Sequence, residues 1–492
     1  MNHNDGYLMQ TSITTVRLGG ATKLGFLTAL QDALRSDPER EGSLTELTPA
    51  ASPDTYLIPH AAEEWLRKAL KLHSSSQWQS KLREWGALSV DTLLRDQYAA
   101  LQLRATTVQR NRLLSPPKIS IAPHPLQRAS QDTRMVPGDF AGPYDWHIGD
   151  DGIRVATAWR MFAERPEFQA QLPWSEVRVA HIDTGYTEHS ALGWNQGSSD
   201  RVIPGDGRDL WDGAHDTDGP RDPFRTGSPG HGTRISGAIS GFLKNAVGGP
   251  HYGAAPGVQI VPFRVTDSVI VDHVQNHITT AIRLAIGKGC HVVNISLGAL
   301  RASRSLAGAL DTAYDAGLIV VCAAGQVWGE VIYPGRFNRC VTMGGVSPGL
   351  VPWRSAAKGV HVDLCGPASG IRRIRASLLP PGKTESRMEN GTGDGTSYAT
   401  ALCSGAAALW LAWHGLENLK KKYEPTGLWQ IPKAFKYLAR QSARPGKWSA
   451  DEACDYGSGV LDVAKLLESP LPADGTMRKE NKAFGPFDDG SL

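Results

Sequence analysis

From about residue 175 the chain alternates short apolar runs with amphipathic segments. SEVRVAHIDTG, VQIVPFRV, GCHVVNISLG, GLIVVCAAG and RCVTMGGV read as strands buried on both faces. Between them, VQNHITTAIRLAIGKG and ASRSLAGALDTAYDAG carry apolar residues at helical spacing and end in glycine, as helices do. Strand, helix and strand in repetition predict an α/β fold: a doubly wound, mostly parallel sheet with helices on both faces. In such a sheet, sites gather at the carboxyl ends of the strands.

The N-terminal part follows another pattern. ATKLGFLTALQDALRS, HAAEEWLRKALKLH and LSVDTLLRDQYAALQL have helical spacing, and TTVRLGG, DTYLIP and KISIAP read as short strands. Residues 1–125 are therefore expected to form a smaller, mainly helical α+β domain. A Pro- and Gly-rich linker follows over 126–142, and the large domain over 143–468. The polar, aperiodic stretch 469–492 is expected to be disordered.

At 492 residues the chain exceeds the usual size of one core, consistent with two domains. A composition of 41% apolar and 21% charged residues is that of a globular enzyme, and a net charge of +3 is too small to imply nucleic acid. The opening residues lack the basic and apolar regions of a secretory signal, and the longest apolar stretch, SGAAALWLAW, is too short to span a bilayer. No membrane partner is expected. Six cysteines without CxxC spacing lie mostly in apolar runs, which predicts reduced core thiols and a cytoplasmic setting.

Three polar signatures interrupt the apolar pattern. Asp183 follows a buried strand in VRVAHIDTG; His231 begins an apolar-periodic helix in GSPGHGTRISGAISG; Ser397 heads another helix in NGTGDGTSYATALCSG. A serine hydroxyl attacks only when an imidazole takes its proton, and the imidazole needs a carboxylate to fix its tautomer and stabilise its charge. A helix start adds N–H groups and a positive dipole end for the oxyanion. Each signature alone also reads as a turn or helix cap. The order Asp, His, Ser, separated by 48 and 166 residues on one α/β pattern, favours the catalytic reading.

That order resembles the subtilisin-like serine proteases, the subtilases. HVVNISLGA resembles the family's substrate-binding strand, VVCAAGQ its oxyanion segment, and YGSGVLDVAKLL its closing segment; the resemblance covers residues 143–467. It implies that Asp183 orients the imidazole, His231 acts as general base and then acid, and Ser397 attacks the scissile carbonyl. Ser296, Leu297 and Gly298 would pair with an extended polypeptide substrate, and Ala324 and Gly325 would line the first specificity pocket.

Two departures stand out. Gln326 takes the place of the family's oxyanion Asn; it keeps the carboxamide donor but adds a methylene, so an active, slower enzyme is expected. Ile332 stands where many subtilases have a small residue and is expected either to fill the first pocket, favouring Ala, Ser or Val before the scissile bond, or, if the loop shifts, to pack in the core; Val327 and Trp328 supply no acidic wall for Lys or Arg. No cofactor is expected. Some subtilases bind calcium, but the acidic loop over 206–223 lacks ordered ligand spacing and reads as solvated. His181 and His189 show no zinc pattern and read as structural. The alternatives are a catalytically weak or inactive peptide-binding protein on the same fold, or an esterase. The N-terminal domain could serve as a propeptide or as a module for a regulatory partner.

Overall fold

The computed structural model describes residues 135–483, apart from 141, 143, 195–200, 212–218, 223–227, 244–250, 273, 327–328 and 377–389, together with three strand segments nearer the N-terminus. The chain divides into two units, Met1–Lys118 with Ile270–Gln275, and Ile119–Val269 with Asn276–Leu492. In the first, β1 (Ile13–Arg17), β2 (Thr48–Pro49) and β3 (Thr55–Pro59) form an antiparallel sheet in the order β1-β3-β2, with Ile13 opposite Pro59. Strands were expected at the first and third of these. The predicted N-terminal helices and the KISIAP strand lie outside the described residues.

The second unit is built on one sheet. Its strands are β4 (Arg178–Asp183), β5 (Arg208–Asp209), β6 (Gln259–Arg264), β7 (Val292–Ile295), β8 (Ile319–Ala323), β9 (Val341–Ser347), β10 (Val351–Pro352) and β11 (Leu364–Pro367). Their order is β10-β9-β8-β7-β4-β6-β5, with β11 alongside β9. Only β10 pairs antiparallel; the rest is parallel. Every residue of β7 and β8 is buried, so both faces of the sheet are covered, as their unbroken apolar sequence requires. The chain runs from β4 to β6 on one side and then crosses to β7 on the other, which makes β4 and β7 the switch point. A two-stranded hairpin, β12 (Ile371–Ile374) with β13 (Asn390–Gly393), stands apart from this sheet.

The helices are α1 (Val155–Ala163), α2 (His231–Ser240), α3 (Gln275–Gly287), α4 (Arg304–Asp315), α5 (Thr396–His414), α6 (Leu416–Tyr423), α7 (Gln430–Ser442) and α8 (Val463–Glu468). The SGAAALWLAW stretch lies in α5, which is buried along nearly its whole length and packs against β7, β8 and β9. A helix apolar all round belongs in a core or a bilayer, and this one is the core helix. No helix among the described residues is long and apolar enough to cross a membrane. The six cysteines are unpaired, five buried and Cys454 exposed.

The stretch beginning at Ser469 departs from expectation. Through residue 483 it is a strap packed on the domain. Tyr423 Oη donates to Pro472 O at 2.9 Å, Arg339 Nη2 to Glu480 O at 3.0 Å, and Ala483 N to Asp311 Oδ1 at 2.9 Å. The carboxylate of Glu480 is fully buried, 3.7 Å from Lys433 Nζ and 3.8 Å from Lys436 Nζ on α7. Aperiodic polar sequence looks disordered from local signals, but these charges find partners far away in the chain.

Candidate active site

Asp183 ends β4 at the switch point, where the strand delivers its side chain to the carboxyl edge of the sheet. His231 is the first residue of α2. Gly232 permits the two to meet: a Cβ there would lie 2.0 Å from Gly185 O, so only glycine lets the helix start approach the turn after Asp183. Asp222 fixes that approach, its Oδ2 accepting from Thr184 Oγ1 at 3.0 Å and from Gly230 N at 2.7 Å. Thr184 Oγ1 in turn accepts from Gly232 N at 3.0 Å. Ser397 is the second residue of α5, so its N–H has no intrahelical acceptor and faces outward from the positive end of the helix.

The three side chains are in line. His231 Nδ1 lies 2.7 Å from Asp183 Oδ1, and His231 Nε2 lies 3.3 Å from Ser397 Oγ. Ser397 Oγ also lies 3.4 Å from Ser296 O, so its proton has two acceptors. Asp183 is buried, its side chain 1% exposed, while that of His231 is 13% exposed. Burial alone would push the Asp183 carboxyl up, but the charge and hydrogen bond of His231, with His181 close by, outweigh it and hold the group well below the usual carboxylate range. The aspartate is thus ionised at any pH at which the imidazole works.

The segments after β7 and β8 flank the serine. Ser296 Oγ donates to Ser397 O at 3.3 Å and accepts from Asn294 Nδ2 at 3.1 Å; Asn294 Oδ1 accepts from Ser404 Oγ of α5 at 2.9 Å. This chain ties the two elements together. Ser296 and Leu297 are buried. Gly298 N donates to Val269 O at 2.9 Å, so the expected peptide-pairing edge is partly occupied by the chain itself.

Gln326 lies in the loop after β8, behind Ala324 and Gly325. Its Oε1 accepts from Thr396 N at 3.2 Å, so the side chain folds back to the start of α5 beside Ser397, leaving the amide N–H groups on its other side. Ala324 O accepts from Ile332 N at 2.9 Å, and Gly325 O from Ala357 N at 2.9 Å. The Ile332 side chain fills the slot between the two glycine walls. A Cβ on Gly298 would fall 1.8 Å from Ile332 Cδ1, and one on Gly325 2.8 Å from it. Ile332 is half-buried, a plug at a surface slot rather than a core residue. Val327 and Trp328 lie outside the described residues.

The acidic loop is a correction. It was expected to be solvated, yet Asp209 and Asp222 are buried, the first accepting from Arg264 Nη1 at 2.6 Å. Residues 212–218 lie outside the described residues. His189 is also buried, its Nδ1 accepting from Ala191 N at 3.1 Å. Asp222, Ser236 and Asn294 escaped the sequence reading, because their roles depend on partners 8 to 110 residues away.

A carboxylate, an imidazole and a serine hydroxyl aligned at the carboxyl edge of a doubly wound sheet define a serine hydrolase. The family model described as the subtilase family matches residues 175–447, more than half of the chain, and the chain belongs to that family of serine endopeptidases. Subtilisin Savinase of Lederbergia lenta is 28% identical over 236 residues, 48% of this chain and 76% of that protein. Subtilisin E of Bacillus subtilis strain 168 is 30% identical over 246 residues, 49% of this chain and 56% of that protein, so the match spans little more than half the length of this relative. A solved structure described as proteases from Pseudoalteromonas arctica PAMC 21717 shares the fold, with a TM-score of 0.51 and 22% identity over 68% of this chain and 98% of that one.

Proposed function

We propose that the chain hydrolyses peptide bonds of extended polypeptides through an acyl-enzyme formed on Ser397. The observation that carries this is the His231 imidazole lying 2.7 Å from Asp183 Oδ1 and 3.3 Å from Ser397 Oγ. His231 takes the Ser397 proton as the oxygen attacks the scissile carbonyl, and the charged imidazolium is stabilised by Asp183. The oxyanion falls at the start of α5, where the Ser397 N–H and the Gln326 amide supply donors. His231 then protonates the leaving amine, and water repeats the sequence to free Ser397.

The substrate lies along Ser296, Leu297 and Gly298 on one side and Ala324 and Gly325 on the other. Ile332 fills the slot between them, which favours Ala, Ser or Val before the scissile bond. Five unpaired buried thiols support work in a reducing, cytoplasmic compartment.

The test is labelling with a fluorophosphonate probe and cleavage of an unfolded protein substrate, with Ser397→Ala as control. Serine-dependent labelling and cleavage are expected. A folded wild type that does not label refutes catalysis and leaves a peptide-binding protein; labelling and ester hydrolysis without peptide cleavage refute the endopeptidase.

A further inference from the structure

By its sequence context alone, His181 reads as a structural residue. It precedes Asp183 by two positions on β4, so strand alternation puts both side chains on one face. Its ring is enclosed between β4 and α2. Nδ1 lies 3.0 Å from Ser236 Oγ, and Nε2 lies 3.5 Å from Asp183 Oδ2. Side-chain exposure is 0% for His181 and 1% for Asp183, so bulk solvent does not reach either group.

The two oxygens of Asp183 are used differently. Oδ1 takes the Thr184 N–H at 2.7 Å and faces His231 Nδ1 at 2.7 Å. Oδ2 has no stronger partner among the described residues, and neither has His181 Nε2. A bare carboxylate oxygen in a buried site is costly. Of the two neutral tautomers of His181, one puts a lone pair against Oδ2, and the other puts an N–H there. The second also gives Nδ1 a lone pair to accept the Ser236 hydroxyl proton.

We propose that His181 is a positioning residue of the active site: Ser236 holds it in the Nε2–H tautomer, and it donates to Asp183 Oδ2. The carboxylate is then pinned by both oxygens and presents Oδ1 to His231 in one orientation. At 3.5 Å the contact is long in the resting site and shortens as charge builds on the His231–Asp183 pair. The hydrogen bond from His181 also works in the direction of the lowered Asp183 pKa. This role rests on the protease reading above, because it acts only through the triad.

The test compares wild type with His181→Val, His181→Gln and Ser236→Ala, using urea unfolding to establish that each is folded. His181→Val is expected to lower kcat roughly tenfold with KM unchanged, the size of one charge-assisted hydrogen bond at its weaker end. His181→Gln restores most of the loss, because its amide places a donor near the Nε2 position. Ser236→Ala costs a few-fold and adds nothing to His181→Val, as coupled members of one network should. Nitrogen-15 NMR of the wild type is expected to show the proton on His181 Nε2.

A folded His181→Val with wild-type kcat overturns the proposal, as does a Gln variant no better than Val, or the Nδ1–H tautomer. If the valine variant fails to fold, the glutamine and Ser236 variants and the NMR assignment decide. A wild type that neither labels nor cleaves overturns the protease reading and this role with it. A labelled wild type with insensitive variants overturns only the role of His181.

Discussion

Replacing Ile332 by alanine should widen what the enzyme accepts before the scissile bond. The side chain lies between Gly298 and Gly325, close enough that a Cβ on either would collide with its Cδ1. The substitution removes three carbons from the slot. At about 0.8 kcal/mol per buried carbon, a leucine in the substrate could regain roughly 2.4 kcal/mol by filling that space, a factor of about 60 in kcat/KM. The cost in stability should fall below the roughly 2 to 5 kcal/mol of a core Ile→Ala, because Ile332 is only half-buried. The assay is a pair of peptides differing only in Ala or Leu before the scissile bond, with the ratio of kcat/KM measured in both enzymes. Gly298→Ala supplies a check: it should be damaging in the wild type and tolerated beside Ile332→Ala, where the clashing atom is gone. An unchanged Leu-to-Ala ratio, or a Gly298→Ala penalty equal in both backgrounds, would show that Ile332 does not occupy the substrate's slot.

Three further outcomes follow from the structure. Gln326→Ala should lower kcat by about 10²- to 10³-fold with little change in KM, and Gln326→Asn should match or exceed wild type; an alanine variant at full speed removes Gln326 from oxyanion binding. His147 is fully buried, and burial, aided by Arg372, pushes its pKa down to about 3. The unfolded chain then binds a proton that the folded one refuses. Stability from this group is complete above about pH 6.5 and falls below it at up to about 1.4 kcal/mol per pH unit. Urea unfolding of His147→Leu should therefore show a shallower loss between about pH 6.5 and 5, and a parallel curve refutes the assignment. Glu480→Ala should cost about 3 to 5 kcal/mol in the same assay, because it removes a fully buried carboxylate that lies beside both Lys433 and Lys436; a loss below about 1 kcal/mol would mean that the strap contributes little.

Much of the parallel sheet could be read from the chain, because strands covered on both faces, such as Val292–Ile295 and Ile319–Ala323, must be apolar at every position. Asp183, His231 and Ser397 stood out as a set: each alone reads as a turn or helix cap, but their order along one α/β pattern does not. What escaped was whatever needs a distant partner to acquire meaning. Asp222 looked like one more acid in a polar loop until Gly230 and Thr184 bonded to it. His181 carried no local signal of its own, because Ser236 lies 55 residues away. The occupied edge at Gly298 depends on Val269, which no periodicity could place beside it.

The strap also orders events in time. Lys433 and Lys436 sit on a helix that packs against the sheet; Lys436 pairs with Asp363 at 3.0 Å, but the carboxylate both lysines approach, Glu480, comes 44 residues after Lys436. A chain still short of residue 480 during synthesis has every strand of the sheet, yet it lacks the buried carboxylate that lies 3.7 Å from Lys433. The contact between α7 and Glu480 of the strap can form only once residue 480 has been made, after every strand of the sheet is available to pair. The helix that waits for this contact, α7, packs on β8, the strand that leads into Gln326.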